Sequence, residues 1–400
     1  MWQQIKNIYH LAQALLACVY YGFPSKKLIV IGVTGTDGKT TTAHMIYEIL
    51  RRASKKVALI SSVHAAIGEK VYDTGFHVTT PDPIALQRFL KKIVDSGSDY
   101  AVIEVTSHGL DQNRVFGIKF EVGVLTNITH EHLDYHKTYD NYIAAKAKLF
   151  KNVRYSILNA DDASFAKIKR LASGKIIAYS LKKSADFNLK NLPIKLAIDG
   201  DYNFSNALAA AAVTSVLGIK ESTILKTLSQ FKGVVGRMES VDLGQDFEVI
   251  VDFAHTPNAL EQAFKTLKSK IQDPQAKLIV VFGAAGLRDK AKRKIMGEVA
   301  AKWASISVIT AEDPRTEKVE NICQQIAQGL IDKGKSDGKD YYFIYDRGEA
   351  IKFAINLAQK GDIVATFGKS HEKSMCYGKR EYPWDEFQVV RQSIQNRMKK

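Results

Sequence analysis

Four hundred residues exceed what one hydrophobic core ordinarily holds, so two or three domains are expected. A composition 46% hydrophobic and 25% charged, with 8 prolines, is that of a soluble globular chain, and nothing before residue 397 reads as disordered. The balance of 57 Lys+Arg against 42 Asp+Glu leaves a net +15 that favours anionic partners; the lysines are scattered rather than striped with aromatics, which points to a nucleotide triphosphate and an anionic acceptor and away from nucleic acid.

In chain order, residues 1–26 are a short helical segment. Its apolar stretch, 8–23, is too short to span a bilayer and carries Gln13 inside it. The reading preferred is a helix packed on a domain surface with no membrane contact; the sharper alternative is a membrane-surface or partner-binding helix. Residues 27–33 (KLIVIGV) form a continuous apolar run, as in a strand buried on both faces of a parallel sheet. The run ends in Gly35-Thr36-Asp37-Gly38-Lys39-Thr40-Thr41, and helical periodicity follows over 41–53, with Met45, Ile46, Ile49 and Leu50 on one face.

A glycine-rich turn between strand and helix presents backbone N–H groups to phosphate, and the helix N-terminus adds its dipole. Lys39 would neutralise the β- and γ-phosphates of ATP, and the Thr40 hydroxyl would ligate Mg²⁺. The strict Walker spacing asks for glycine where Val33 stands, so the match is to the shorter G-T-D-G-K-T-T form.

The alternation continues. Strands are predicted at 57–61, 100–105, 122–126 and 155–159, and helices at 83–96, 139–150 and 203–217. A second unit begins at Gly236-Arg237-Met238, with strands at 247–252, 277–282, 305–310, 341–345 and 362–367. The expected fold is α/β: a P-loop, doubly wound, mostly parallel sheet over 27–235, followed by a Rossmann-like α/β domain over 236–400. Polar clusters fall just after the strands, where such sheets bind ligands. One cluster holds Glu104, His108, His130, His132, Asp134 and His136; beside a phosphate loop it suits a second divalent cation, Mg²⁺ or Mn²⁺. Cys18, Cys323 and Cys376 are far apart, which excludes a disulfide framework or a CxxC metal site and fits a reducing, cytoplasmic compartment. The sequence is silent on oligomeric state.

Taken together, GTDGKTTT at 35–42, Thr79-Thr80-Pro81, EVTSH at 104–108, TNITHEHLDYH at 126–136, YIAAKAKLF at 142–150, DFAHTP at 252–257 and GKSHE at 368–372 resemble the Mur ligase family. The likeness is strongest to its third-residue-adding branch, the tripeptide synthetases of peptidoglycan synthesis. The resemblance implies an ATP-dependent carboxylate–amine ligase that forms an acyl phosphate. It implies magnesium ligands at Thr40, Glu104 and His132 and a carbamylated lysine at Lys146. It places Asn203 and Asn206 on the adenine side, Arg237 at the γ-phosphate, and Asp252 and His255 facing the nucleotide. It gives Thr79, Thr80, Ser107 and Arg114 to the muramoyl-dipeptide, and Arg315, Gly368 and Glu372 to the incoming amino acid.

The sequence departs from the family in places. Residues 1–26 are too few for the N-terminal domain that grips a UDP-sugar, so a UDP site is expected to be missing or rebuilt. That motivates an alternative acceptor, such as a polyglutamate, folate-like or lipid-linked carboxylate; a third reading is a non-catalytic nucleotide-binding partner protein. Asp313 replaces an asparagine, an extra negative charge expected to favour a cationic amino-acid side chain, and Ser370 replaces a glycine.

Overall fold

The structure is a computed structural model that describes residues 2–73, 79–129 and 131–399. His130 of the expected cation cluster lies outside the described residues. The chain divides into two compact units, residues 1–129 with 136–232, and residues 130–135 with 233–400.

In the first unit the apolar run becomes β1 (Ile29–Thr34), joined by β2 (Val57–Ile60), β3 (Ala65–Ile67), β4 (Lys70–Tyr72), β5 (Tyr100–Glu104), β6 (Phe120–Leu125), β7 (Tyr155–Asn159) and β8 (Lys175–Tyr179). The sheet order is β4-β3-β2-β5-β1-β6-β7-β8. β1 lies parallel between β5 and β6, which explains its unbroken apolar sequence: both faces are covered. Among the described strands only β3 is reversed, pairing antiparallel with β2 and with β4 in a meander at one edge. Its strands are three residues long, below the reach of periodicity reasoning.

The flanking helices start on local signals. Asp82 accepts from the N–H groups of Ile84 and Ala85 ahead of Pro83, opening the helix Pro83–Asp95. Thr138 caps Tyr139–Ala147, which tightens into a 3₁₀ turn over Lys148–Phe150. The alanine-rich helix Asp201–Val216 is buried along most of its length, because small side chains let it lie close to its neighbours.

The second unit holds β9 (Glu239–Ser240), β10 (Glu248–Asp252), β11 (Leu278–Phe282), β12 (Ile306–Ile309), β13 (Tyr341–Phe343) and β14 (Ile363–Phe367), in the order β13-β12-β11-β14-β10-β9. All pairs are parallel except β9 with β10. Apolar residues pack both faces of this sheet, one layer with Leu260, Phe264 and Ile326 and the other with Ile351, Ile355 and Val390. A two-stranded hairpin, β15 (Ser374–Tyr377) and β16 (Arg380–Pro383), follows β14. Order continues through the helix Glu386–Met398, past residue 397: Arg397 donates to the carbonyls of Ile355 and Ala358, which ties the tail to the unit.

Candidate active site

The phosphate loop is held open by its neighbours. Gly35 (φ 156°) packs so closely on Thr126 that a Cβ would overlap the threonine hydroxyl. Gly38 (φ 79°) lies in the left-handed region, against the amide of Asn206. Asn127 Oδ1 accepts from Asp37 N at 2.9 Å, and Thr126 Oγ1 donates to Asp37 O at 2.6 Å. The helix Lys39–Arg52 begins directly after the loop with no acidic residue in its first turn, so its N–H groups are available to an anion. Lys39 Nζ folds back onto the carbonyls of Gly35 (3.1 Å) and Thr36 (2.7 Å).

Lys146 comes to the same carbonyl. Its Nζ donates to Gly35 O at 2.6 Å and lies 4.5 Å from the centre of the Tyr142 ring. The side chain is fully buried, and its pKa lies well below the usual lysine value, first through burial and then through the Lys39 charge. Thr36 Oγ1 and Tyr142 OH are 3.1 Å apart, so the helix carrying Lys146 is tied to the loop twice.

Thr40 Oγ1 donates to Glu104 Oε2 at 3.2 Å and lies 3.1 Å from Ser62 Oγ; Ser62 N donates to Glu104 Oε1 at 3.2 Å. Hydroxyl and carboxylate oxygens gathered at the C-terminal ends of adjacent strands suit a hard cation such as Mg²⁺, so the donor set fits the metal expected there. Among the described residues no group of three or more His, Cys, Asp and Glu gathers. His132, the other expected ligand, belongs to the second unit, where its backbone is left-handed (φ 58°) and Nδ1 lies 3.7 Å from Glu131 Oε1.

Of the residues expected on the adenine side, Asn206 Nδ2 donates to Asn203 Oδ1 (3.2 Å), and Thr42 Oγ1 donates to Asn206 Oδ1 (3.3 Å). Thr41 is buried in the same first turns of its helix. Thr80, next to Thr79, accepts from Thr106 N at 2.9 Å, and Arg114 donates to Thr80 O at 3.1 Å. His136 Nε2 lies 3.0 Å from Ser107 Oγ, and burial lowers the imidazole pKa to about 4, so the ring is neutral at pH 7. Thr80, Ser107 and Arg114 thus form one polar wall.

In the second unit the expected residues sit at strand C-termini. Asp252 ends β10 and accepts from Met238 N and Ala254 N, each at 2.7 Å. Burial raises its pKa against the opposing pull of Arg237, whose guanidinium lies 4.5 Å over the Phe253 ring. His255 is lowered to about 3, mainly by burial and then by Lys292. Lys292 Nζ donates to His255 O (2.9 Å) and Glu131 Oε1 (3.2 Å).

After β12, Arg315 donates to Gly286 O at 2.9 Å, and its backbone bonds Cys376 and Gly378 in the hairpin. Asp313 is held by an ion pair within the unit. Lys369 Nζ binds both its carboxylate oxygens (2.9 and 3.0 Å) and Glu372 Oε2 (2.6 Å). One buried cation therefore bridges two carboxylates, so a formal net negative charge remains among the three groups. Ser370, in place of glycine, keeps a left-handed backbone (φ 47°) and anchors it by donating to Gly236 O at 2.7 Å.

Two residues were missed by sequence reasoning. Arg288 is perturbed downward by burial and then by the charge of Arg315, with Asp134, Glu131 and Asp313 opposing; two guanidiniums share one neighbourhood. Glu312 packs against Gly368, its Oε2 is buried without a hydrogen-bond partner, and burial pushes its pKa up to about 8. The signal for Arg288 was local, an arginine in the polar turn after a strand; nothing in the sequence marks Glu312.

A Mur ligase middle domain matches residues 33–214, and a Mur ligase glutamate ligase domain matches residues 236–370. The chain belongs to the Mur ligase family. Among relatives, a UDP-N-acetylmuramoyl-L-alanyl-D-glutamate–2,6-diaminopimelate ligase of Clostridium acetobutylicum is 39% identical, over 96% of this chain and 81% of its own. Its Bacillus cereus counterpart is 36% identical, over 98% and 83%. A solved ligase of that name aligns with TM-score 0.61 and 31% identity, over 93% of this chain and 79% of its own. A Mycobacterium tuberculosis folylpolyglutamate synthase aligns with TM-score 0.70 at 16% identity, over 92% and 97%, a likeness of fold. This Mur ligase is accordingly an ATP-dependent acid–amino-acid ligase, and the reading as a non-catalytic partner protein falls.

Proposed function

We propose that this Mur ligase adds 2,6-diaminopimelate to a UDP-N-acetylmuramoyl-L-alanyl-D-glutamate acceptor in peptidoglycan precursor synthesis. The observation that carries the choice of amino acid is the 39% identity, over 96% of this chain, to a diaminopimelate-adding ligase; the charge of Arg315 also acts on Arg288 in the second unit. Two guanidiniums suit two carboxylates, and diaminopimelate has two where lysine has one. Lys369 pairs with the Asp313 carboxylate, which lessens its repulsion of an acidic amino acid. The names and identity of the relatives support the same reading.

In the proposed mechanism an acceptor carboxylate oxygen attacks the γ-phosphorus of ATP. The bond to the β,γ-bridging oxygen breaks, leaving ADP and an acyl phosphate. The amine of the incoming amino acid, having shed a proton, attacks the acyl carbon, and inorganic phosphate leaves. Lys39 and the loop N–H groups hold the β- and γ-phosphates, with Arg237 offsetting charge on the transferring group. Asn203 and Asn206 serve the adenine side, and Asp252 and His255 the nucleotide. Thr79, Thr80, Ser107 and Arg114 orient the acceptor; Arg315, Gly368 and Glu372, with Arg288, orient the amino acid. Thr40 and Glu104, joined by His132 and a carbamylated Lys146, would hold Mg²⁺ at two sites. The metal, when bound, screens the phosphate oxygens.

Phosphate release with UDP-N-acetylmuramoyl-L-alanyl-D-glutamate should be strong with meso-diaminopimelate and weak with lysine. Arg288→Met should raise the KM for diaminopimelate roughly 10–100-fold, the value of a charge-assisted bond, and leave the KM for ATP unchanged. Turnover with lysine equal to that with diaminopimelate would overturn the choice of amino acid. Silence with this acceptor, alongside turnover with a polyglutamate or folate-like carboxylate, would overturn the acceptor.

A further inference from the structure

The N-terminal helix Trp2–Tyr20 is mounted against the usual rule. Its side toward the first unit is small and polar. Ala14, Ala17 and Cys18 are buried, Cys18 Sγ donates to Phe116 O at 3.6 Å, and Asn113 Nδ2 donates to Asn7 O at 3.3 Å. Its opposite side carries Ile8, Tyr9, Leu15, Leu16, Val19 and Tyr20, a stripe at helical spacing that faces solvent. Leu16 is 73% exposed, Val19 69% and Tyr20 82%, where an amphipathic helix serving only its own domain would turn such residues inward.

The electrostatics around the stripe have one sign. No acidic residue occurs before Asp37, while Lys6, Lys26 and Lys27 are exposed at the two ends of the helix. Exposed Lys119 joins the second end, where its backbone N–H reaches Ser25 Oγ. The acids near the helix are engaged: Asp111 pairs with Lys148 at 2.8 Å and accepts from Asn7 Nδ2 of the helix at 3.5 Å, and Asp82 caps the next helix. Tyrosines near both ends of an aliphatic centre, bordered by lysines, match the apolar core, aromatic boundary and anionic headgroups of a lipid surface. No helix among the described residues is long and apolar enough to cross a bilayer, so any seating is in the plane of the surface.

We propose that the outward face of Trp2–Tyr20 is a docking surface for an anionic lipid bilayer, holding the ligase at the membrane face. A second copy of the chain is disfavoured as occupant, because pairing two such faces brings like-charged lysine borders together.

The test is flotation of the full chain with vesicles of phosphatidylcholine alone and of phosphatidylcholine with phosphatidylglycerol. The protein should float with the anionic vesicles, less so in high salt, and poorly with the neutral ones. Leu16→Glu with Val19→Glu should weaken binding at least roughly tenfold, as expected from losing two buried aliphatic side chains, with ADP binding and helical circular dichroism unchanged. Lys26→Glu with Lys27→Glu should remove the preference for phosphatidylglycerol. Absence of flotation with either vesicle overturns the proposal, as does binding unchanged in the Leu16→Glu/Val19→Glu variant. A dimer in sedimentation that this variant dissociates, with no flotation, also overturns it and assigns the face to a second copy.

Discussion

Lys146 Nζ donates a 2.6 Å hydrogen bond to the carbonyl oxygen of Gly35, the residue that opens the phosphate loop. Two lysines, 39 and 146, meet that one carbonyl, and the buried one is driven toward its neutral form. A neutral amine is the form that reacts with carbon dioxide: nitrogen bonds carbon, a proton leaves, and a carbamate anion results. Lys146→Arg, which keeps a cation and cannot form a carbamate, should lower kcat by roughly 10²–10³-fold, the usual weight of a charge-stabilising group. Removing carbon dioxide should slow the parent enzyme, and bicarbonate should restore it. A parent indifferent to bicarbonate would remove the carbamate from the mechanism.

Gly35→Ala places a methyl group into the Thr126 hydroxyl. The loop must shift or Thr126 must release Asp37 O, to which it donates at 2.6 Å. ADP binding measured by calorimetry should weaken roughly 10–100-fold, the equivalent of a few kcal/mol of local strain. Binding equal to that of the parent would show that the loop tolerates a side chain there.

Glu312 supplies a pH dependence. Its folded pKa of about 8 lies above the ordinary carboxyl value of 4.5, so the folded state holds a proton that the unfolded state releases. Its contribution to stability is full below the unfolded pKa, declines as pH rises from 4.5, and is gone above the folded value. Glu312→Gln, neutral throughout, should match the parent at pH 4 and melt a few degrees higher at pH 9. Parallel melting curves across this range would contradict a buried, protonated carboxyl.

Arg347 and Glu386 form a fully buried pair, with contacts of 2.8 and 2.6 Å. Arg347 also donates to Phe367 O at 2.7 Å, next to Gly368. Glu386→Ala leaves a buried cation unmatched and should destabilise the fold by about 3–5 kcal/mol in urea unfolding. Replacing both residues with apolar ones should recover much of that loss. A single variant as stable as the parent would mean that water reaches the pair.

Much of the first unit was legible because its signals are local. A strand buried on both faces is apolar throughout, as residues 29–34 are, and a phosphate loop needs its glycines, lysine and threonine adjacent in sequence. The meander Ala65–Tyr72 escaped because three-residue strands contain too little periodicity to register. Arg288 stood in a polar turn after a strand, but its charged surroundings, like those of Glu312, are made by residues distant in the chain.

The sequence by itself determined the α/β order, the nucleotide loop and the family, all properties of short contiguous patterns. Tertiary structure decided how charge is distributed. It set Lys369 between Asp313 and Glu372 and brought Lys146 to Gly35 across 111 positions. It also turned Leu16 and Val19 of the first helix outward. Composition counts charges and apolar residues, but their energies depend on what stands within a few ångströms, and that is known only once the chain has folded.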